Sequence, residues 1–99
     1  MIDWKQVTGF DWDEGNILKN QEKHGVGPSE AEQIFFNQPL LTMVDEKHSL
    51  YEARYHALGV TDDDRLLHVT FTLRVDDTLI RVISARDMHR KERFVYEQT

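Results

Sequence analysis

Apolar and polar side chains alternate along three stretches in the second half of the chain, and a period of two predicts strands. In Arg65–Leu73 (RLLHVTFTL), Leu67, Val69, Phe71 and Leu73 share one side, while His68, Thr70 and Thr72 share the other. In Thr78–Ala85 (TLIRVISA), Ile80 and Val82 oppose Leu79, Arg81 and Ile83. Ala53–Gly59 (ARYHALG) makes a third strand, with Arg54, His56 and Leu58 on one side. The acid-rich turns TDDDR and Asp76-Asp77 that separate these strands have hairpin composition. LLTMV, residues 40–44, is a candidate fourth strand, and Phe10–Trp12 a short edge strand.

The first half reads as helices. Asp13 is placed to cap a helix that runs through Ile17, Leu18 and Asn20. Lys23 and His24 suit the negative end of that helix, and Gly25 suits the left-handed position just after it. A second helix follows GVGP. Ser29 and Glu32 have capping-box spacing there, Ala31, Ile34 and Phe35 form the apolar stripe, and Asn37 and Pro39 end it. A last helix starts near Asp87 as N-cap and places Glu92 and Tyr96, four apart, on one face.

Helices, then strands, then a helix indicate an α+β domain: a small antiparallel sheet with helices on one face. The helices are expected over Val69, Phe71, Ile80 and Val82, which leaves His68 and Arg81 on the open side. With 99 residues and no linker or repeat, residues 1–99 form a single domain.

Composition narrows the class. There is no cysteine, so disulfides and thiolate metal sites are excluded. There is no membrane-length apolar run, and the N-terminus lacks the layout of a signal peptide, so a cytoplasmic protein is expected. The net charge is −6, yet the window Arg81–Tyr96 carries Arg81, Arg86, Arg90, Lys91 and Arg93 against only Asp87 and Glu92, a local +3. An acidic chain with one basic end does not suit a general nucleic-acid coat protein. It does leave room for a local basic cleft, because screening confines charge effects to about 10 Å.

Those residues match what metal-free RNA cleavage requires. The 2′-hydroxyl must lose a proton, the phosphorane must be stabilised, and the leaving oxygen must gain a proton. Carboxylate or histidine suits the first task, the arginine fork the second, and histidine or tyrosine the third. The candidates are Arg54, Arg65, Arg81 and Arg86 with Glu92 and Tyr96, and beside them His48, Glu52, His56 and His68. Each has a plainer alternative. Arg81 can pair with a carboxylate, Arg86 can cap carbonyls, Tyr96 can be a packing aromatic, Glu92 can be a structural salt bridge, and Arg90 and Arg93 can be a solvated face. His48, Glu52 and His56 have metal-ligand spacing only if helical, and this segment reads as loop into strand. Spacing alone therefore stops at a small α+β domain with one basic face.

Four stretches in order carry more. They are FDWDEGNILKNQEKHGV (10–26), EAEQIFFN (30–37), HSLYEARYHALG (48–59) and RVISARDMHRKERFVYE (81–97). Together they resemble the BrnT family of bacterial type II toxins. The resemblance covers nearly the whole chain from Phe10 and implies a RelE-like fold and a ribonuclease needing no cofactor or metal. It implies RNA as substrate and a cognate BrnA-like antitoxin, with DNA contacted only through the antitoxin complex and no membrane association. By matching position it implies catalytic roles for Arg54, Arg65, Arg81, Arg86, Glu92 and Tyr96. His48, Glu52, His68, Arg90 and Arg93 are then the RNA-binding set. The acidic balance and the run Asp62–Asp64 also fit a second reading: a toxin-like binding module without catalysis, acting with its antitoxin in operon repression.

Overall fold

The computed structural model describes residues 2–99. The elements are β1 (Gly9–Phe10), α1 (Glu14–His24), α2 (Pro28–Gln33), β2 (Leu41–Val44), β3 (Arg54–Val60), β4 (Leu66–Arg74), β5 (Leu79–Asp87) and α3 (Arg90–Glu97). One sheet holds all five strands in the order β1-β5-β4-β3-β2. The pairings β2–β3, β3–β4 and β4–β5 are antiparallel, and the short edge strand β1 adds a parallel pair on β5. No helix among the described residues is long and apolar enough to cross a membrane.

Local chemistry accounts for α1. The Asp13 carboxylate accepts from the Gly15 amide at 2.8 Å, and Gly25 ends the helix at φ +65°. The helix then serves β5 where β1 has run out. Asn16 Nδ2 donates to the Val82 carbonyl, and Asn20 Oδ1 accepts from the Ala85 amide, each at 3.3 Å. Two asparagines one turn apart thus satisfy backbone groups that a longer edge strand would have paired.

Two expected caps differ. Helix α2 is capped at Gly27 with Glu30 reaching back to its amide, because Pro28 takes the first helical position. Glu32 instead accepts from the Trp12 indole at 2.7 Å. Asp87 does not cap α3. Strand β5 runs on through it, the Met88 amide bonds to Leu66, and His89 becomes the cap, with Glu92 accepting from its amide.

The sheet is covered unequally. On one face Val26, Ala31 and Ile34 pack over Ala57, Leu67, Val69, Phe71, Ile80, Val82 and Ala85. Gly59 is part of this closeness: a Cβ there would lie 2.7 Å from Ile34 Cβ. This is the expected helical layer. Helix α3 belongs to neither that layer nor solvent. It crosses to the opposite face, where Tyr96 and Met88 pack with Leu58, Leu41, Val60 and Leu66 at one end. Leu58 is the reason, since it shares a side with Arg54 and His56 and would otherwise expose its chain.

A bulge decides what the rest of that face displays. Thr70 pairs with Ser84 and Phe71 with Val82, so Ile83 has no partner. Arg81 and Arg86, five residues apart, would point to opposite faces of a regular strand. With Ile83 inserted, Arg81 lies opposite Thr72 and Arg86 opposite His68. Both then stand on the open face.

Candidate active site

Beside α3 on the open face, three side chains from three elements meet. Glu92 comes from the first turn of α3, Arg86 from the end of β5 and His68 from β4. Arg86 grips the Glu92 carboxylate with both terminal nitrogens, at 2.8 and 3.0 Å. His68 Nδ1 lies 2.7 Å from Glu92 Oε2 and 2.7 Å from Arg86 Nη2. Arg86 is placed there by the bulge, Glu92 by the cap of α3, and His68 by the polar side of β4.

The row continues across the sheet. His68 Nε2 lies 2.9 Å from His56 Nδ1, which is also 3.0 Å from Thr70 Oγ1. His56 Nε2 reaches Asp45 Oδ2 at 3.1 Å, and the same oxygen is 2.9 Å from His48 Nδ1. Five titratable side chains therefore form one hydrogen-bonded row from α3 to the loop before β3.

Their charge states follow from the neighbours. Burial pushes the Glu92 carboxyl up, but the Arg86 fork, the His89 amide and His68 outweigh it and hold it down at about 2. Burial lowers the His68 imidazole below its ordinary value, with Arg86 and His56 adding to that and Glu92 opposing it. Arg86 already answers the carboxylate's charge, so His68 is not fixed as its counterion. Burial raises Asp45, but hydrogen bonds from the His48 side chain and amide leave it below the ordinary range. At neutral pH both carboxylates of the row are ionised. Glu92, so readily ionised, is too weak a base to hold a proton; it aligns the other two.

Arg54 stands apart. Arg65, Arg74, Arg81 and Arg86 all have carboxylate partners, whereas Arg54 has none among the described residues, and its Nε is buried without a hydrogen bond. It borders an open depression of about 380 Å3 with Lys47, His48, Leu50, Tyr51 and Glu52. Tyr51 and Leu50 project almost wholly into solvent there.

Several candidates are not brought to this cluster. Arg65 turns to the helical side. It binds Asp87 through Nε and Nη2 at 2.7 and 3.1 Å, and Glu30 and the Gly25 and His24 carbonyls with its remaining donors. It fastens the α1–α2 junction to the sheet. Arg81 is on the open face but is held by Asp11 and Asp13 at 3.0 and 2.9 Å. Tyr96 shares a helix face with Glu92, yet it is buried and its hydroxyl donates to the Pro39 carbonyl at 2.6 Å. Burial raises its pKa, which leaves the phenol as an anchor for α3. Glu52 pairs with Arg74 at 3.3 Å, and both neighbouring histidines turn to Asp45, so the spacing of His48, Glu52 and His56 gathers no metal-ligand set. Arg90 and Arg93 are exposed on α3.

Asp45 is the residue of the row that the sequence did not offer; His56 is among the sequence candidates but has no place in the set that the BrnT resemblance implies. A signal for His56 was present: folding the hairpin symmetrically about Asp63 sets it opposite Thr70 and diagonal to His68. Asp45 lies in a loop and gave no comparable signal.

Comparison with known proteins bears on the fold and the family. A crystal structure of the Brucella abortus ribonuclease toxin BrnT superposes with a TM-score of 0.60 at 22% identity, covering 85% of this chain and 100% of that one. It is similar in fold. A comparison with curated protein sequences gave no match. A family profile described as "Ribonuclease toxin, BrnT, of type II toxin-antitoxin system" matches residues 12–92, a span that contains α1, the whole row from Asp45 to Glu92, and the bulge that aligns it. The chain belongs to the BrnT family of type II toxin-antitoxin ribonuclease toxins.

Proposed function

We propose that this protein is a cytoplasmic endoribonuclease that cuts RNA by internal transphosphorylation without a metal ion, and that a BrnA-like antitoxin keeps it silent. The observation that carries the reading is the Arg86–Glu92–His68 cluster on the open sheet face. It joins a phosphate-matching fork, an aligning carboxylate and a titratable imidazole within hydrogen-bond distance of one another.

In the reaction the RNA 2′ oxygen attacks the adjacent phosphorus and the bond to the 5′ oxygen breaks. The products are a 2′,3′-cyclic phosphate and a 5′-hydroxyl. One proton moves from the 2′ oxygen to the 5′ oxygen, and His68 Nδ1 carries it. When Arg86 turns its fork onto the phosphate, it uncovers that nitrogen and offers N–H donors to the charge that grows on the phosphorane. Arg54, with no carboxylate to neutralise it, binds a neighbouring phosphate. Tyr51 offers an exposed ring for a base to stack on. Arg90 and Arg93 add charge along α3 that draws in the strand. The antitoxin, as partner in this reading, covers the same face and links the pair to DNA.

The test is cleavage of a structured RNA by purified protein at low salt in EDTA, with Arg86→Ala and His68→Ala in parallel. Cyclic-phosphate and 5′-hydroxyl ends made by the wild type and lost in both variants are the expected outcome. No products from a folded wild type, with the antitoxin still bound tightly, would favour the non-catalytic binding module instead.

A further inference from the structure

Two imidazoles facing each other between two carboxylates restrict where protons can sit. His56 Nε2 points at Asp45 Oδ2 at 3.1 Å. That carboxylate is ionised and can only accept, so Nε2 carries the proton. In a neutral His56 ring, Nδ1 then has a lone pair. It faces His68 Nε2 at 2.9 Å and the Thr70 hydroxyl at 3.0 Å, and both can donate to it. His68 Nε2 must therefore carry a proton, because two lone pairs cannot share that separation. The remaining nitrogen, His68 Nδ1, faces Glu92 Oε2 and Arg86 Nη2 together, each at 2.7 Å. Bare, it accepts from Arg86; protonated, it donates to Glu92. It is the one position in the row with a satisfied partner in both states.

We propose that Asp45 and His56 are positioning residues which hold His68 in its Nε2–H tautomer, so that Nδ1, between Glu92 and Arg86, is the nitrogen that takes and releases the proton. The inference rests on His68 as the acid–base group proposed above. All charged groups facing His68 enter it: Glu92 from α3, Arg86 from β5, His56 from β3, and Asp45 with His48 beyond it. Protonation at Nδ1 replaces the hydrogen bond from Arg86 Nη2 with one to Glu92, while the Arg86–Glu92 pair remains. Proton uptake and release of that one Arg86 contact become one event. The proton balance is simple: one is taken at Nδ1 and the same one is given up, while those on His68 Nε2 and His56 Nε2 stay in place.

Long-range proton–nitrogen NMR on ring-labelled protein tests this without any substrate. While both rings are neutral, His68 should carry its proton on Nε2 with Nδ1 bare, and His56 should carry its proton on Nε2; as His68 titrates, Nδ1 should be its nitrogen that changes. A neutral His68 protonated at Nδ1, or a His56 without a proton on Nε2, would overturn the proposal. His56→Phe keeps a ring but removes the acceptor. In that variant His68 should become a mixture of tautomers, and kcat should fall roughly tenfold with KM nearly unchanged. An unchanged His68 nitrogen pattern in the folded variant would also overturn it. If His56→Phe fails to fold, the wild-type pattern alone decides. If the wild type cleaves no RNA, the tautomer result still stands and the ribonuclease reading fails separately.

Discussion

Arg65 and Arg86 come from adjoining parts of the sheet, and each holds one carboxylate with two nitrogens. Their settings differ in what lies beyond the carboxylate. Around Arg65 every further acceptor belongs to the framework: Glu30 and two carbonyls at the end of α1. Its pKa is raised, first by the hydrogen bonds to Asp87. Around Arg86 the further neighbour is an imidazole whose proton can come and go. Two arginines with the same grip therefore do different work, and the partner's other attachments reveal which is which.

The sharpest way to break the comparison is to remove each side chain in turn. Arg86→Ala should lower the cleavage rate per folded molecule by roughly 10²–10³, as loss of a transition-state donor does, and should also lower the urea midpoint, because the part-buried Glu92 loses its counter-charge. Arg65→Ala should cost about 2 kcal/mol of stability while the rate per folded molecule persists. If folded Arg65→Ala loses cleavage as fully as Arg86→Ala does, the distinction is gone.

Acid sharpens it next. Glu92 and His68 are both held below their ordinary values in the folded protein, so the unfolded chain binds their protons more tightly and acid favours unfolding. The His68 contribution is complete above 6.5 and is lost as the pH falls through its lowered value. The Glu92 contribution is complete above 4.5 and is lost as the pH falls towards about 2. Urea midpoints measured from pH 7 to 3 should decline in that order. Glu92→Gln should flatten the lower part, removing on the order of 2 kcal/mol of pH dependence.

Smaller effects probe regions remote from either arginine. Gly59→Ala should cost on the order of 1 kcal/mol by pushing against Ile34, and should leave cleavage by the folded fraction intact. Val75, a β-branched and exposed residue at φ +54°, occupies a conformation that favours glycine. Val75→Gly should raise stability by about 0.5 kcal/mol in thermal melts, the relief of strain exceeding the added freedom of the unfolded chain.

Local signals made much of this fold legible. The strands appear within a residue or two of where alternation puts them, Asp13 and Gly25 bound α1 as expected, and Glu92 and Tyr96 do share a helix face. The helical layer covers Val69, Phe71, Ile80 and Val82 as the pattern indicated. What alternation could not reveal is the bulge at Ile83, since a run of apolar and polar residues carries no mark of one unpaired position. It also could not say that Arg65 and Arg81 would be engaged by Glu30, Asp11 and Asp13. Those carboxylates arrive from elements 35 to 70 residues away in the chain, and only the packing brings them near. The Asp45–His56–His68 row needed the register between β3 and β4 together with the loop before β3. Strand period alone supplies neither.

The bulge also acts as a parity bit. A strand sorts its residues into odd and even, and every side chain downstream inherits its side from that count. Ile83 changes the count once, and the last part of β5 is read in the altered frame. Deleting its codon would take out the inserted position, and Arg81, Val82, Ser84, Ala85 and Arg86 would then alternate regularly, with Arg86 still opposite His68. Closing the ladder with Ile83 kept as a paired residue would instead exchange inside for outside from Ser84 onward, sending Arg86 toward the helices and Ala85 into the open. The toxin would then keep every letter of its active site and lose the sentence.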